Sequence, residues 1–207
     1  MAERIEIDLS CEERAHEEFL IPVIRRLAHE VGVSVRLRTL AARGGHPRAL
    51  QAFRKAQRVA LTGGAPLADL LIVAIDANCS SLAKQQNEIR GATAAGFLER
   101  LVMACPDPHI ERWYLADPTS FKEVVGKGPE VTTTKCERSY YKRLLAHTIR
   151  RAGHPTLAGG LDFAPAIVAA MNFYRAGKND PSLKAFLDDL RTGLRILSRA
   201  SSPRSEH

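Results

Sequence analysis

DLLIVAIDANC, residues 69–79, decides how the rest of the chain is read. Six apolar residues in succession, Leu70 to Ile75, are the pattern of a strand covered on both faces, as strands of parallel sheets are. The run stops at Asp76, and Asn78 follows two places later. In parallel α/β sheets the groups that touch ligands gather at the carboxyl ends of the strands. A carboxylate and a carboxamide at such an end therefore point to a site.

Working outward, RIEIDLS (4–10) alternates apolar and polar residues and predicts a strand. EERAHEEFLIPVIRRLAHEVG (12–32) carries apolar residues at 19, 20, 23, 24, 27 and 31, which is helical spacing, with Gly32 as a stop and Pro22 as an expected kink or break. SVRLRTLA (34–41) reads as a second strand, GGHP as a turn, and PRALQAFRKAQRVAL (47–61) as a basic amphipathic helix. After residue 79 the pattern predicts a helix over 87–105, weakened by Gly91 and Gly96, then a strand in HIERWYLAD (109–117) running into a helix. FKEVVGKGPEVTTT (121–134) reads as loop and YYKRLLAHTIRRAG (140–153) as helix. A final helix spans 180–200, with Asp180 as cap and Pro181 in its first turn. Strands alternate with helices to about residue 125, which predicts a mainly parallel, Rossmann-like α/β sheet. The expected layout is an α/β domain over 1–130, a helical extension over 131–200 packed on it, and a frayed tail over 201–207.

The chain has 207 residues, with 45% hydrophobic and 26% charged, ordinary values for a globular protein. No apolar run approaches a membrane span of roughly 20 residues, and the acidic opening MAERIEIDLSCEER does not read as a signal peptide. Cys11, Cys79, Cys105 and Cys136 form no CxxC pair and fit no zinc template, so reduced thiols in a cytoplasmic protein are expected.

The net charge is +7, and its distribution is uneven. From Val31 to Ala68 there is no acid, while Arg36, Arg38, Arg43, Arg48, Arg54, Lys55 and Arg58 all fall there. A second group, Lys142, Arg143, Arg150 and Arg151 with His147 and His154, lies in 140–154. Such segments suit a polyanion held by its phosphates, or else a solvated basic face. Arg43, His46, Arg48, Lys135 and Lys142 are the candidates for contact with nucleic acid. GGHPRAL lacks the spacing of a phosphate-binding loop and reads better as a plain turn. Trp113 suits core packing better than base stacking, and Ser80 and Ser81 have no ordered His partner.

Three acids fall where strands should end or turn: Glu12, Asp76 and Glu111. On a parallel sheet all three can face one crevice, with Asn78 adding a neutral oxygen. Hard divalent cations take such donors, commonly one or two carboxylates with waters. The bland alternatives stay open. Glu12 can favour a helix N-terminus, Asp76 can cap a turn, and Glu111 can pair with Arg112 or Arg138.

This order of acids resembles the TOPRIM domain of topoisomerases, bacterial primases and OLD-family nucleases, in which a Glu ends the first strand and a D-x-D phrase ends a later one. ACPDPHIERWYLADPTSFKEVVG (104–126) is similar to a phrase of small stand-alone TOPRIM-like bacterial proteins, some of which accompany ATPases in phage-defence loci. The resemblance covers residues 3–150 and returns in PSLKAFLDDL. It implies a Mg²⁺- or Mn²⁺-dependent nuclease acting on DNA. Glu12 would be general base or metal ligand, Asp76 the main ligand and Asn78 an assisting one, with Glu111 completing the catalytic set. An antiviral role and an ATPase partner are implied by the same resemblance, and a homo-oligomer stays open. The chain departs from the pattern at Glu13, where the family has Gly, and at Asn78, where it has a second Asp. A neutral ligand in place of a charged one weakens metal affinity, so a TOPRIM-like subunit that binds nucleic acid or a partner without hydrolysis is the alternative.

Overall fold

The computed structural model describes residues 4–41, 44–132, 137, 139–156 and 158–200. Its sheet has four parallel strands in the order β2-β1-β3-β4. They are β1 (Arg4–Cys11), β2 (Ser34–Ala41), β3 (Leu70–Ala74) and β4 (Leu101–Ala104). Every residue of β3 is buried, as the unbroken apolar run predicts. Along β1, Ile5, Ile7, Leu9 and Cys11 enter one core with Leu70, Ile72 and Ala74 of β3. Leu71, Val73 and Ile75 enter a second core on the opposite face. The α/β architecture expected from the sequence is the one observed.

The first core is built by α1 (Arg14–Val31), which buries Phe19, Leu20, Val23, Ile24 and Leu27. The second is closed by α2 (His46–Leu61) through Ala49, Leu50 and Phe53, and by Ile89 of α3 (Leu82–Ala92). Pro22 lies inside α1 without ending it, so of the expected kink or break the break does not occur, and Gly32 closes the helix in the left-handed region at φ 78°. Ser81 caps α3 by accepting from the Lys84 amide at 3.2 Å, a local structural role.

Three local expectations are corrected. The helix expected over 87–105 ends at Ala92; a 3₁₀ turn, Ala95–Arg100, follows, and then β4. LVMA pairs with β3 and buries Val102, Met103 and Ala104, and so short an apolar run has no period of its own to mark it as a strand. HIERWYLAD holds no strand: Ile110–Tyr114 is a short helix, α4. FKEVVG is not loop but part of α5 (Pro118–Val125), capped by Asp117 and stopped at Gly126.

Among the described residues beyond α5 the main elements are α6 (Tyr140–Arg151), α7 (Ala164–Ala170), α8 (Phe173–Asn179) and α9 (Pro181–Ala200). Tyr141, Leu145 and Ile149 of α6, and Leu183, Phe186, Leu187, Leu190 and Leu194 of α9, share the first core with α1. Asp180 caps α9 as expected, its Oδ1 accepting from the Leu183 amide at 3.0 Å. Trp113 is wholly buried, stacks on Phe186 with ring centroids 5.5 Å apart, and donates to Ser182 Oγ at 2.9 Å. It is a core residue that locks α4 to α9, as its sequence context favoured.

Asp117 ties α5 to α8. Its buried carboxylate accepts from Arg175 at 2.7 and 2.9 Å and from the Asn172 amide at 2.8 Å. Burial pushes the carboxyl up, but these donors outweigh it and bring it down to about 2. Against an unfolded value near 3.9, that difference stabilises the fold by about 2 kcal/mol. The contribution is present in full above about pH 4 and is lost as the pH falls through about 2. Urea unfolding followed across pH 2–5 should lose this share in the native protein, and Asp117→Asn should lack it at every pH. An identical acid limb in both would contradict the assignment.

Candidate active site

The strand registers set the geometry. Cys11 pairs with Ala74 and Ala74 with Ala104, so β1, β3 and β4 finish level with one another. The ladder continues one step further, with the Glu12 amide donating to Ala74 O and the Ile75 amide to Ala104 O, both at 3.0 Å. Glu12 and Asp76 therefore emerge side by side, and the Asp76 amide donates to Glu12 Oε2 at 3.2 Å.

Asp76 is 5% exposed, and both of its carboxylate oxygens are engaged. Oδ1 accepts from the Ile110 amide at 2.9 Å and lies 3.0 Å from His16 Nε2. Oδ2 lies 3.2 Å from His109 Nδ1. Asn78 sits in the left-handed region at φ 54°, a conformation that Asn tolerates better than most residues. It turns its Nδ2 back to Asp76 O at 3.2 Å. The amides of Ala77 and Asn78 donate to Pro106 O and Pro108 O at 2.8 and 2.9 Å, fastening this turn to the segment that carries His109 and α4.

Glu12, Asp76, Asn78 and Glu111 meet at one cleft of about 230 Å³, with Glu13, His109, Ser139 and Lys142 on its walls. The structure thus brings together the predicted acids, Asn78 and Lys142. Arg112, a candidate partner for Glu111, instead lies 3.0 Å from Asp180 Oδ2. His46 stands outside the cleft lining with Nε2 3.1 Å from Glu88 Oε1, although its charge reaches Glu12. Arg48 is exposed on α2 and packs over Gly44. Arg43, Lys135 and Arg138 lie outside the described residues.

Two functional side chains escaped the sequence reading, His16 and His109. Each had a signal. His16 follows Glu12 by four places, one helical turn, on the buried side of α1; His109 stands two places before Glu111.

The electrostatics follow from burial and these contacts. Burial pushes the Asp76 carboxyl up, but His16 and His109 outweigh it and hold it below its ordinary value. His16 responds in kind: burial lowers its pKa, and the Asp76 carboxylate more than reverses that. The hydrogen bond to Asp76 raises His109 in the same way. Glu12 and Glu111 are both pushed up, by burial first and then by the nearby Asp76 charge. The cleft therefore carries more negative charge than its own cations relieve. Among the described residues no group of three or more His, Cys, Asp or Glu side chains is arranged to hold a metal ion.

Compared with known proteins, the chain matches no family model, no curated protein and no solved structure.

His16→Leu should destabilise the protein by about 3–5 kcal/mol, because it takes from the buried Asp76 carboxylate its fully buried charge partner and leaves only His109. Adding Asp76→Asn should recover part of that loss. Denaturant unfolding of the two single variants and the double variant gives the coupling, and simple additivity would rule out the ion pair.

Proposed function

We propose that the protein hydrolyses phosphodiester bonds in nucleic acid, DNA foremost, as a TOPRIM-type nuclease assisted by Mg²⁺ or Mn²⁺. The observation that carries this reading is the convergence of Glu12, Asp76 and Glu111 on one cleft at the carboxyl ends of parallel strands. Lys142 and His109 on its walls give a phosphate positive partners.

The donors present fit a hard divalent cation. They are oxygens, and Glu12 and Glu111, raised by burial first, also feel the Asp76 charge that a cation would relieve. Because Asp76 already spends its oxygens on His16, His109 and Ile110, Glu111 and Glu12 Oε1 would hold the ion, with Asp76 as their charged neighbour, while Glu12 Oε2, which accepts the Asp76 amide, keeps a lone pair for a proton. Such an ion supplies Lewis-acid polarisation of the phosphoryl group and activation of water.

The chain's own groups do the remainder. Glu12 takes a proton from the attacking water as its oxygen bonds to phosphorus. His109, with Nδ1 held by Asp76, has Nε2 left to give a proton to the departing sugar oxygen as the old P–O bond breaks. Lys142 neutralises a non-bridging phosphate oxygen. Asn78 and Ile110, through backbone contacts, keep the turn and α4 in place.

A second reading has its own support. The full engagement of Asp76 and the inward turn of the Asn78 amide also suit a TOPRIM-like subunit that binds nucleic acid without cutting it. A partner ATPase and a role in antiviral defence belong to either reading and rest on the sequence resemblance.

Cleavage of plasmid and single-stranded DNA by purified protein, with Mg²⁺, Mn²⁺ or EDTA, separates the two. The nuclease reading expects metal-dependent cutting that falls at least about 100-fold in Asp76→Ala and in Glu12→Gln. Cutting that survives Asp76→Ala would sink it. Binding with no cutting in any metal would favour the second reading.

A further inference from the structure

The basic face of α6 lies outside both cores, and its charges need an explanation. Tyr141, Leu145, Thr148 and Ile149 are buried, while Lys142, Arg143, His147, Arg150 and Arg151 are exposed on the other side. The helix contains no acid. Arg143 pairs with Glu137, but Lys142, Arg150 and Arg151 form no ion pair among the described residues.

Helix electrostatics account for only half of this. Arg150 and Arg151 lie in the last turn, where cations complement the helix dipole. Lys142 and Arg143 lie in the first turn, where the dipole disfavours them and an acid would be the stabilising choice. Arg143 meets Glu137 and Lys142 faces the acidic cleft, while Arg150 and Arg151 at the far end are left for a negative partner from outside. Lys142 also lines the acidic cleft, so the stripe begins inside the candidate site and runs outward from it. From Lys142 to Arg150 is about 12 Å along the helix axis, about three to four nucleotides of one strand of a duplex. The stripe offers no aromatic platform, since Tyr141 is buried and Tyr140 is tied through its hydroxyl to Thr132. Strand binders that use bases rely on such platforms.

We infer that the exposed face of α6 holds the sugar-phosphate backbone of a nucleic acid as it leads into the cleft, without reading bases. This deepens the proposed function and rests on it for the direction of the strand, but the binding it predicts is independent of hydrolysis.

The test is fluorescence anisotropy with labelled DNA duplexes of about 20 base pairs, long enough for several phosphate contacts, in EDTA so that no cutting occurs. Two duplexes of unrelated sequence should bind equally. Arg150→Glu/Arg151→Glu, at exposed positions, should keep the native circular dichroism and weaken binding at least about tenfold near 0.1 M salt. It should also lower the slope of log affinity against log salt by about 2, at about 0.9 for each phosphate no longer neutralised. Arg195→Glu/Arg199→Glu, the same charge change on α9, should leave the slope near that of the unaltered protein. The inference is overturned if the α6 pair binds like the unaltered protein, if the α9 pair loses as much, if one sequence is strongly preferred, or if the unaltered protein does not bind. Loss of cleavage in Asp76→Ala with unchanged binding in the α6 pair would sink this inference and spare the nuclease reading. An α6-dependent duplex complex that no metal converts to product would do the reverse.

Discussion

A buried carboxylate cannot stay ionised without compensation, and Asp76 obtains it from His16 and His109 on either side and from the Ile110 amide. The rest of the carboxyl edge is arranged around that requirement. His16 must come from the buried face of α1, which fixes how α1 meets β1. His109 and Ile110 must reach back to the end of β3, which fixes the segment between β4 and α4. Removing either partner would leave a buried charge uncompensated and weaken the fold, while the pair itself does little more than offset its own desolvation, so the His16–Asp76 contact specifies one arrangement of the edge.

From that anchor the site's character follows. Level strand ends put Glu12 against Asp76, and α4 brings Glu111 to the same cleft. Burial first, and the neighbouring Asp76 charge second, make Glu12 and Glu111 hold their protons more tightly than free carboxylates do. An acidic cleft inside a chain of net charge +7 is an uneven field. A phosphate would be repelled by the carboxylates and attracted by Lys142 and the basic face of α6, so binding and chemistry are assigned to different groups. In the proposed reading the cations would hold the backbone of a nucleic acid and the carboxylates would act on one bond, with a divalent ion offsetting their charge.

Much of this was legible in the sequence, for physical reasons. The run 70–75, bounded by Asp69 and Asp76, has the length and branched residues of a doubly covered strand, and its terminal Asp76 marked the site. Spacing along 14–31 and the caps at Gly32 and Asp180 showed where helices start and stop. LVMA was not legible, because a four-residue strand covered on both faces has the same composition as a buried helical turn. HIERWYLAD misled because its apolar residues serve tertiary contacts, Ile110 and Trp113 in the core and the Ile110 amide on Asp76, rather than a strand face. Glu12 and Asp76 were found because they close strands, whereas Glu111 was picked out from an expected strand that the structure replaces with α4. The histidines were missed because their role lies in a contact 60 residues distant for His16 and 33 for His109, which no local pattern displays.

The most direct test of the central claim is Mn²⁺ binding, followed by the loss of free-ion signal in electron paramagnetic resonance, for the unaltered protein and for Glu12→Gln/Glu111→Gln. The account predicts a site in the unaltered protein that weakens at least about tenfold in the variant, since hard cations depend on charged oxygen donors. Equal binding by both proteins, or no binding by either, would contradict it.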